Sequence, residues 1–507
     1  MKKLIRLCLL FVSYYLLPAN ALIAQQTFPV PAPADERTGL HAFTNATVYT
    51  DYKTRVEGAT LLIRDGKVVA AGLNVTIPKD AAVHDCTGKT IYPSFIDLYA
   101  ADYGLPLPPR GEGGGFGRTP QAFSNKKGAY SWNQALRPEY SAAAEFSTDA
   151  KAAEEWRKLG FGALLTHRAD GISRGTGVLV LPGDLREHEL ILSEKASHHL
   201  AFSKGTSTQS YPSSLMGIIA LLRQTYLDAQ WYKAVGYQEE ENLSLDAWNS
   251  VQGLPQIFEA GDKLDILRMA GIGKEFGMKY IVKSSGNDYQ RLSEIVLTGY
   301  PLILPLNFPE GYDVRDPYDA INTPLKDLKH WELAPSNPGR VQAAGVPFCL
   351  TTYGLKEKSK FWEQLRKALE YGLDEESALK ALTYNPATFI NAYAQVGSLE
   401  PGKTANFIIT TGSIFKAETK IQQNWVKGRA FDVSLDRSFP KGSLGIYALK
   451  VGNDAYTLTL KGKPEAPEAQ IMKADSSKVK ATFSYNPSGL MSLSFQPDTL
   501  KKGFIAL

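Results

Sequence analysis

The stretch QIFEAGDKLDILRMAGIGKEFGMKYIVKSSGNDYQRLSEIVLTGYPLIL, residues 256–304, decides the fold. Its apolar spacing predicts a helix over 263–276 ended by Gly277, then the strand Tyr280-Ile281-Val282. A second helix runs through Leu292 to Leu297, Gly299 stops it, and Leu302-Ile303-Leu304 reads as the next strand. Strands separated by a helix pair in parallel with the helix as crossover, so the segment predicts a parallel α/β sheet. The rhythm begins near residue 91. A further helix over 213–232 carries Leu215, Ile218, Ile219 and Leu222 on one face, a stripe that reads as core.

On either side of this region the pattern changes to short strands. Ahead of it lie Ala46 to Tyr49, Thr60 to Ile63 and Lys67 to Ala70, the last two joined by Arg64-Asp65-Gly66. The Asp-Gly pair tolerates positive φ and favours a tight hairpin. Past Gly397 short strands return, and from about residue 442 an alternating stretch predicts an accessory β module. Its Tyr456, Tyr485 and Phe495 leave carbohydrate binding as a minor reading beside the ordinary one, that aromatics in such strands are core. The last residues, 503–507, read as a strand that breaks off without a polar tail, which admits a longer reading frame past Leu507.

With 507 residues, 44% hydrophobic and 21% charged, the chain is long enough for a large core and smaller flanking domains. Lys2, Lys3 and Arg6 precede an apolar run from Leu7 to Leu17, and Ala19-Asn20-Ala21 supplies small residues for cleavage. Residues 1–21 therefore read as an export signal, cut after Ala21 or Ala24, which places the mature chain in the periplasm or outside the cell with no membrane anchor. Without those three basic residues the 56 Lys+Arg and 52 Asp+Glu come close to balance, so nothing points to a nucleic-acid partner. Cys86 and Cys349, the two cysteines outside the signal, do not make a disulfide framework. A Gly-rich loop, Gly111 to Arg118, lacks the spacing of a phosphate cradle and reads equally as a lid or as a plain insertion.

Three stretches together resemble the amidohydrolase superfamily, close to its imidazolonepropionase-like members. They are the opening strands from Thr44 to Gly72, the run Ile91-Tyr92-Pro93-Ser94-Phe95-Ile96-Asp97, and Leu382-Thr383-Tyr384-Asn385-Pro386-Ala387 followed by Gly397 to Asn406. Ser94 stands where the family has Gly, and Asn406 where it has Asp. The resemblance implies a distorted (β/α)8 TIM-like barrel over 93–395. It also implies a composite β domain from 41–92 plus 396–435, with a Pro-rich linker at 22–40 and the accessory module at 436–507.

The resemblance further implies a metal-bound hydroxide, zinc being the family's expected ion, that attacks carbon–nitrogen bonds. Its ligand positions fall here on Tyr99 and Ala101 after the first strand, Glu259 in place of a histidine, and Tyr353 in place of the last-strand aspartate. Alanine offers no donor atom and a phenol is a poor zinc ligand at neutral pH, so no metal and no other cofactor is expected. Strand alternation aims Asp102 at the opposite face from Tyr99. Of the seven histidines, His198 and His199 read as surface or turn residues, and His41, His84, His188 and His330 as solvated. His167 alone reads as a strand-end residue.

Glu259, Lys283, Tyr99 and Tyr353 are the candidate site residues. Two readings stand: a buried acid/base pair, or a structural hydrogen-bond network where the metal would be. The expected function is that of an exported pseudoenzyme, a non-catalytic binding or scaffolding domain. Its partner would be a separate or downstream catalytic amidohydrolase domain, or a small molecule. The alternative is an active hydrolase of cyclic amides or other non-peptide C–N bonds.

Overall fold

The computed structural model describes residues 39–107, 124, 126–434, 443–451, 454–463, 466–473, 475, 477–485, 491–496 and 505–506. The export signal, most of the linker, the Gly111 to Arg118 loop and Leu507 lie outside the described residues.

Eight strands form the central sheet: β1 (Phe95–Asp97), β2 (Phe161–Thr166), β3 (Ser173–Val180), β4 (Ile191–Ala201), β5 (Gln256–Glu259), β6 (Tyr280–Lys283), β7 (Leu302–Pro305) and β8 (Phe348–Thr351). They lie side by side in chain order. The helices Lys263–Phe276 and Leu292–Thr298 end at Gly277 and Gly299, each left-handed with φ 68°. Both glycines cap their helix without a Cβ penalty.

The parallel pattern has one break. β3 runs antiparallel to both β2 and β4, because residues 167–172 are too few to hold a crossover helix. The other neighbours are parallel.

Alternation sorts the side chains of each strand into two layers. Ile257, Ile281, Ile303 and Cys349 join the inner cluster with Ile96 and Leu165, while Phe258, Val282, Leu304 and Leu350 pack outward under the helices. This is a TIM-like barrel in which side chains bridge β1 and β8. Buried Asp97 accepts from Thr351 Oγ1 at 2.7 Å and from the Thr352 amide at 2.8 Å. Burial raises the Asp97 pKa against those hydrogen bonds.

The composite sheet draws strands from both flanks. Thr90–Pro93 from the front pairs antiparallel with Phe407–Thr410 from the back. Asn406 joins this sheet to the barrel: its Nδ2 donates to the Gly162 carbonyl at 3.0 Å and its Oδ1 accepts from the Lys427 amide at 2.7 Å. An aspartate there would lack the donor. Asp65 and Gly66, with φ 48° and 75°, form the hairpin turn.

The C-terminal module has a four-stranded and a three-stranded sheet. Tyr456 and Phe495 are buried against each other in its core, edge to face at 5.2 Å, which removes two of the three aromatics from any sugar-binding surface.

Candidate functional site

Strand direction assembles the barrel mouth. Glu259 and Lys283 are the last residues of β5 and β6 and are direct register partners. Tyr99 and Tyr353 follow β1 and β8. Because β3 is reversed, its N-terminal end lies at this same mouth and brings Arg174, which sequence reasoning missed. A β-bulge aims it: the β3–β4 register shifts between Ser173 and Thr176, and Gly175 sits at φ 74°. The readable signal was an isolated glycine inside a strand pattern, here next to a charge.

A Cβ on Gly175 would collide with the Tyr140 carbonyl. Gly175→Ala is expected to cost about 1–3 kcal/mol, measured as a lower urea midpoint, since strain and clash act together.

The four candidate residues and Arg174 converge. Glu259 Oε2 accepts from Arg174 Nη1 at 2.7 Å and from Tyr99 Oη at 2.9 Å, and Arg174 Nη1 also donates to Tyr99 Oη at 2.9 Å. Lys283 Nζ reaches Glu259 Oε1 at 3.5 Å and lies over the Tyr353 ring at 4.4 Å. The Tyr99 and Tyr353 rings meet edge to face at 4.8 Å.

Burial alone would raise the Glu259 pKa, but the charges of Arg174 and Lys283 and the hydrogen bonds from Arg174 and Tyr99 outweigh it and hold the carboxyl down to about 2. Burial lowers Lys283 against the pull of Glu259, and burial drives the Tyr99 phenol well above its ordinary value.

Two histidines stand directly behind the cluster. His167 and His199 are fully buried and stack face to face, centroids 3.6 Å apart and planes 6° apart. Burial, then the charge of Arg174, keeps His167 neutral; burial, then His167 and Arg174, does the same for His199. Both His167 nitrogens and His199 Nδ1 lack hydrogen-bond partners among the described residues.

The surface assignment of His198 and His199 is thus corrected: both lie on β4 inside the protein, on opposite faces. His198 bonds Gln256 Oε1 at 2.7 Å and Ser173 Oγ at 3.0 Å. Apolar neighbours on the same strand gave no hint that β4 is buried on both sides. Three of the four histidines read as solvated are also half-buried: His41 and His84 bond each other at 3.1 Å, and His330 bonds Tyr289 at 3.0 Å. His188 is exposed.

Asp102 is a second correction. β1 ends at Asp97 and residues 101–104 form a turn, so strand alternation does not govern them. With φ 60°, Asp102 comes round to the mouth, where Oδ1 accepts from the Ala169 amide at 3.0 Å. It lines a cavity of about 640 Å³ together with Tyr99, Ala101, Tyr103, Trp156 and Tyr353.

Residues 338–431, which hold β8 and the return to the composite sheet, match the family model described as the amidohydrolase family. The match covers this one stretch of the chain. The chain's fold agrees with an amidohydrolase from Thermotoga maritima MSB8 at 24% identity, with a TM-score of 0.61 over 77% of this chain and 99% of that one. A putative prolidase from Bifidobacterium longum gives a TM-score of 0.46 at 14% identity over 78% of this chain and 94% of its own, a likeness too loose to bear on chemistry. No curated protein matches by sequence.

The superfamily's metal does not fit this amidohydrolase-fold mouth. No group of three or more His, Cys, Asp or Glu side chains able to hold an ion occurs among the described residues. His167 and His199 cannot substitute, because imidazole donates a lone pair in its ring plane and two parallel rings cannot both aim at one ion. Arg174 and Lys283 also place two cations on Glu259, and both would repel a divalent ion.

Proposed function

We propose that this chain is an exported, metal-free amidohydrolase-fold protein that binds rather than hydrolyses. The observation that carries the reading is the ion pair of Arg174 with Glu259 at 2.7 Å, which puts a fixed guanidinium in the mouth and ties up the carboxylate. A general base or acid works best with a pKa near the operating pH, and Glu259 at about 2 is too weak a base and never an acid at neutrality. The partner in this reading is a catalytic amidohydrolase domain, separate or downstream, or a small molecule held at the mouth.

Metal analysis of the purified mature chain tests it: the expected result is no stoichiometric zinc and no amide hydrolysis before or after zinc is added. Retained zinc, with hydrolysis lost on chelation, would overturn the reading.

A second reading has one observation in its favour: Lys283 is buried and its pKa is depressed, as in lysines that act as bases. It predicts metal-independent hydrolysis of a cyclic amide that disappears in Lys283→Met while the fold is retained.

A further inference from the structure

We propose that the mouth cavity is a binding site for an organic ammonium ion carrying an aromatic or apolar body. The inference rests on the metal-free binding reading and names the ligand class that the walls select. Tyr353 and the largely buried Tyr103 and Trp156 line the cavity of about 640 Å³ with aromatic rings, and Asp102, Glu145 and Asp149 line it with carboxylates. Aromatic faces carry negative charge density and attract ammonium groups, most strongly where water is excluded.

The protein already places such a group there. Lys358, itself part of the wall, lays its ammonium over the Trp156 ring at 4.9 Å.

Asp102 completes the selection. No lysine or arginine among the described residues forms an ion pair with it, and the bond from the Ala169 amide occupies only Oδ1. Its half-buried carboxyl is raised by burial, against that bond and the charges of Arg174 and Arg168, so an arriving cation would meet an under-solvated acceptor. The rival ligand, an anion drawn by Arg174 and Lys283, is disfavoured. Both cations are engaged by Glu259, and Lys283 stands against the Tyr353 ring, which forms part of the cavity wall.

Calorimetric titration of the whole mature chain with 2-phenylethylammonium, 2-phenylethanol and phenylacetate tests the assignment. The ammonium should bind about tenfold or more tighter than the alcohol or the acid. Asp102→Asn keeps the bond to the Ala169 amide and the tolerance of left-handed φ, so it should fold normally and lose about tenfold in ammonium affinity. Lys358→Ala clears the indole face and should strengthen binding.

Equal or tighter binding of phenylacetate, no ammonium binding at millimolar concentration, or an Asp102→Asn variant that binds unchanged would each overturn the inference. A chain without zinc or hydrolysis that also ignores the ammonium sinks this assignment alone. Bound zinc with hydrolysis sinks the reading beneath it.

Discussion

Glu259→Leu is expected to destabilise the barrel by about 3–5 kcal/mol, because it leaves the Arg174 guanidinium and the Lys283 ammonium buried without their shared counter-charge. Tyr99 loses the acceptor of its hydroxyl proton in the same step. The check is urea unfolding followed by tryptophan fluorescence. Glu259→Gln should cost less, since a neutral oxygen still accepts from Tyr99 and Arg174. The triple variant Arg174→Met, Lys283→Met and Glu259→Leu should recover most of the loss, because replacing every member of a buried ionic cluster with apolar groups is often near neutral. An unchanged midpoint for Glu259→Leu would mean that the network holds nothing together.

The cycle also separates two jobs that a mouth network can do. If the apolar triple variant is as stable as the native chain, the charges are kept for something other than stability, and ligand selection at the adjoining cavity is the available role. Asp97 sets the limit of this comparison. It ties β1 to Thr351 and Thr352 independently of the cluster, so the barrel seam stays closed in every Glu259 variant.

The fold was legible wherever local periodicity and punctuation agree, as over residues 256–304 with Gly277 and Gly299 at the helix ends. It was illegible at β3. Direction is not written in a strand's own residues but in the length of its connection, and the short link 167–172 was the clue. The same reversal hid Arg174, since a residue at the start of a strand is expected at the floor of a barrel and not at its mouth.

Glu259 and Lys283 could be placed because they end parallel strands of ordinary register. Asp102 could not, because the alternation applied to it assumes a strand that has already stopped at Asp97. His198 and His199 were misread for a related reason: polarity on a strand says surface only when one face meets water, and β4 is covered on both from Ala196 to Ala201.

Those buried imidazoles lead to the second large effect, loss of stability in mild acid. Burial lowers the His198 pKa from 6.5 to about 4, with the Gln256 bond opposing, and lowers His167 and His199 well below 6.5. The native state therefore refuses protons that the unfolded chain accepts once pH drops below 6.5. The contribution is fully present above pH 6.5 and drains away as pH falls toward the folded pKa values, at about 1.4 kcal/mol per pH unit for each histidine. His198 alone accounts for roughly 3 kcal/mol by pH 4.

Glu259 does not contribute to this window, since its stabilisation is lost only as pH falls from about 4.5 through about 2. Asp97 and Asp288, both raised by burial, act in the opposite sense and gain for the native state as pH falls through their raised values. The histidine share is isolated by variants. His167→Phe keeps a flat ring against His199 and removes one proton site beside Arg174, so its unfolding free energy should fall less steeply between pH 6.5 and 5 than that of the native chain. Equal slopes would show that His167 takes up its proton in the folded state, and that the stacked pair is open to water.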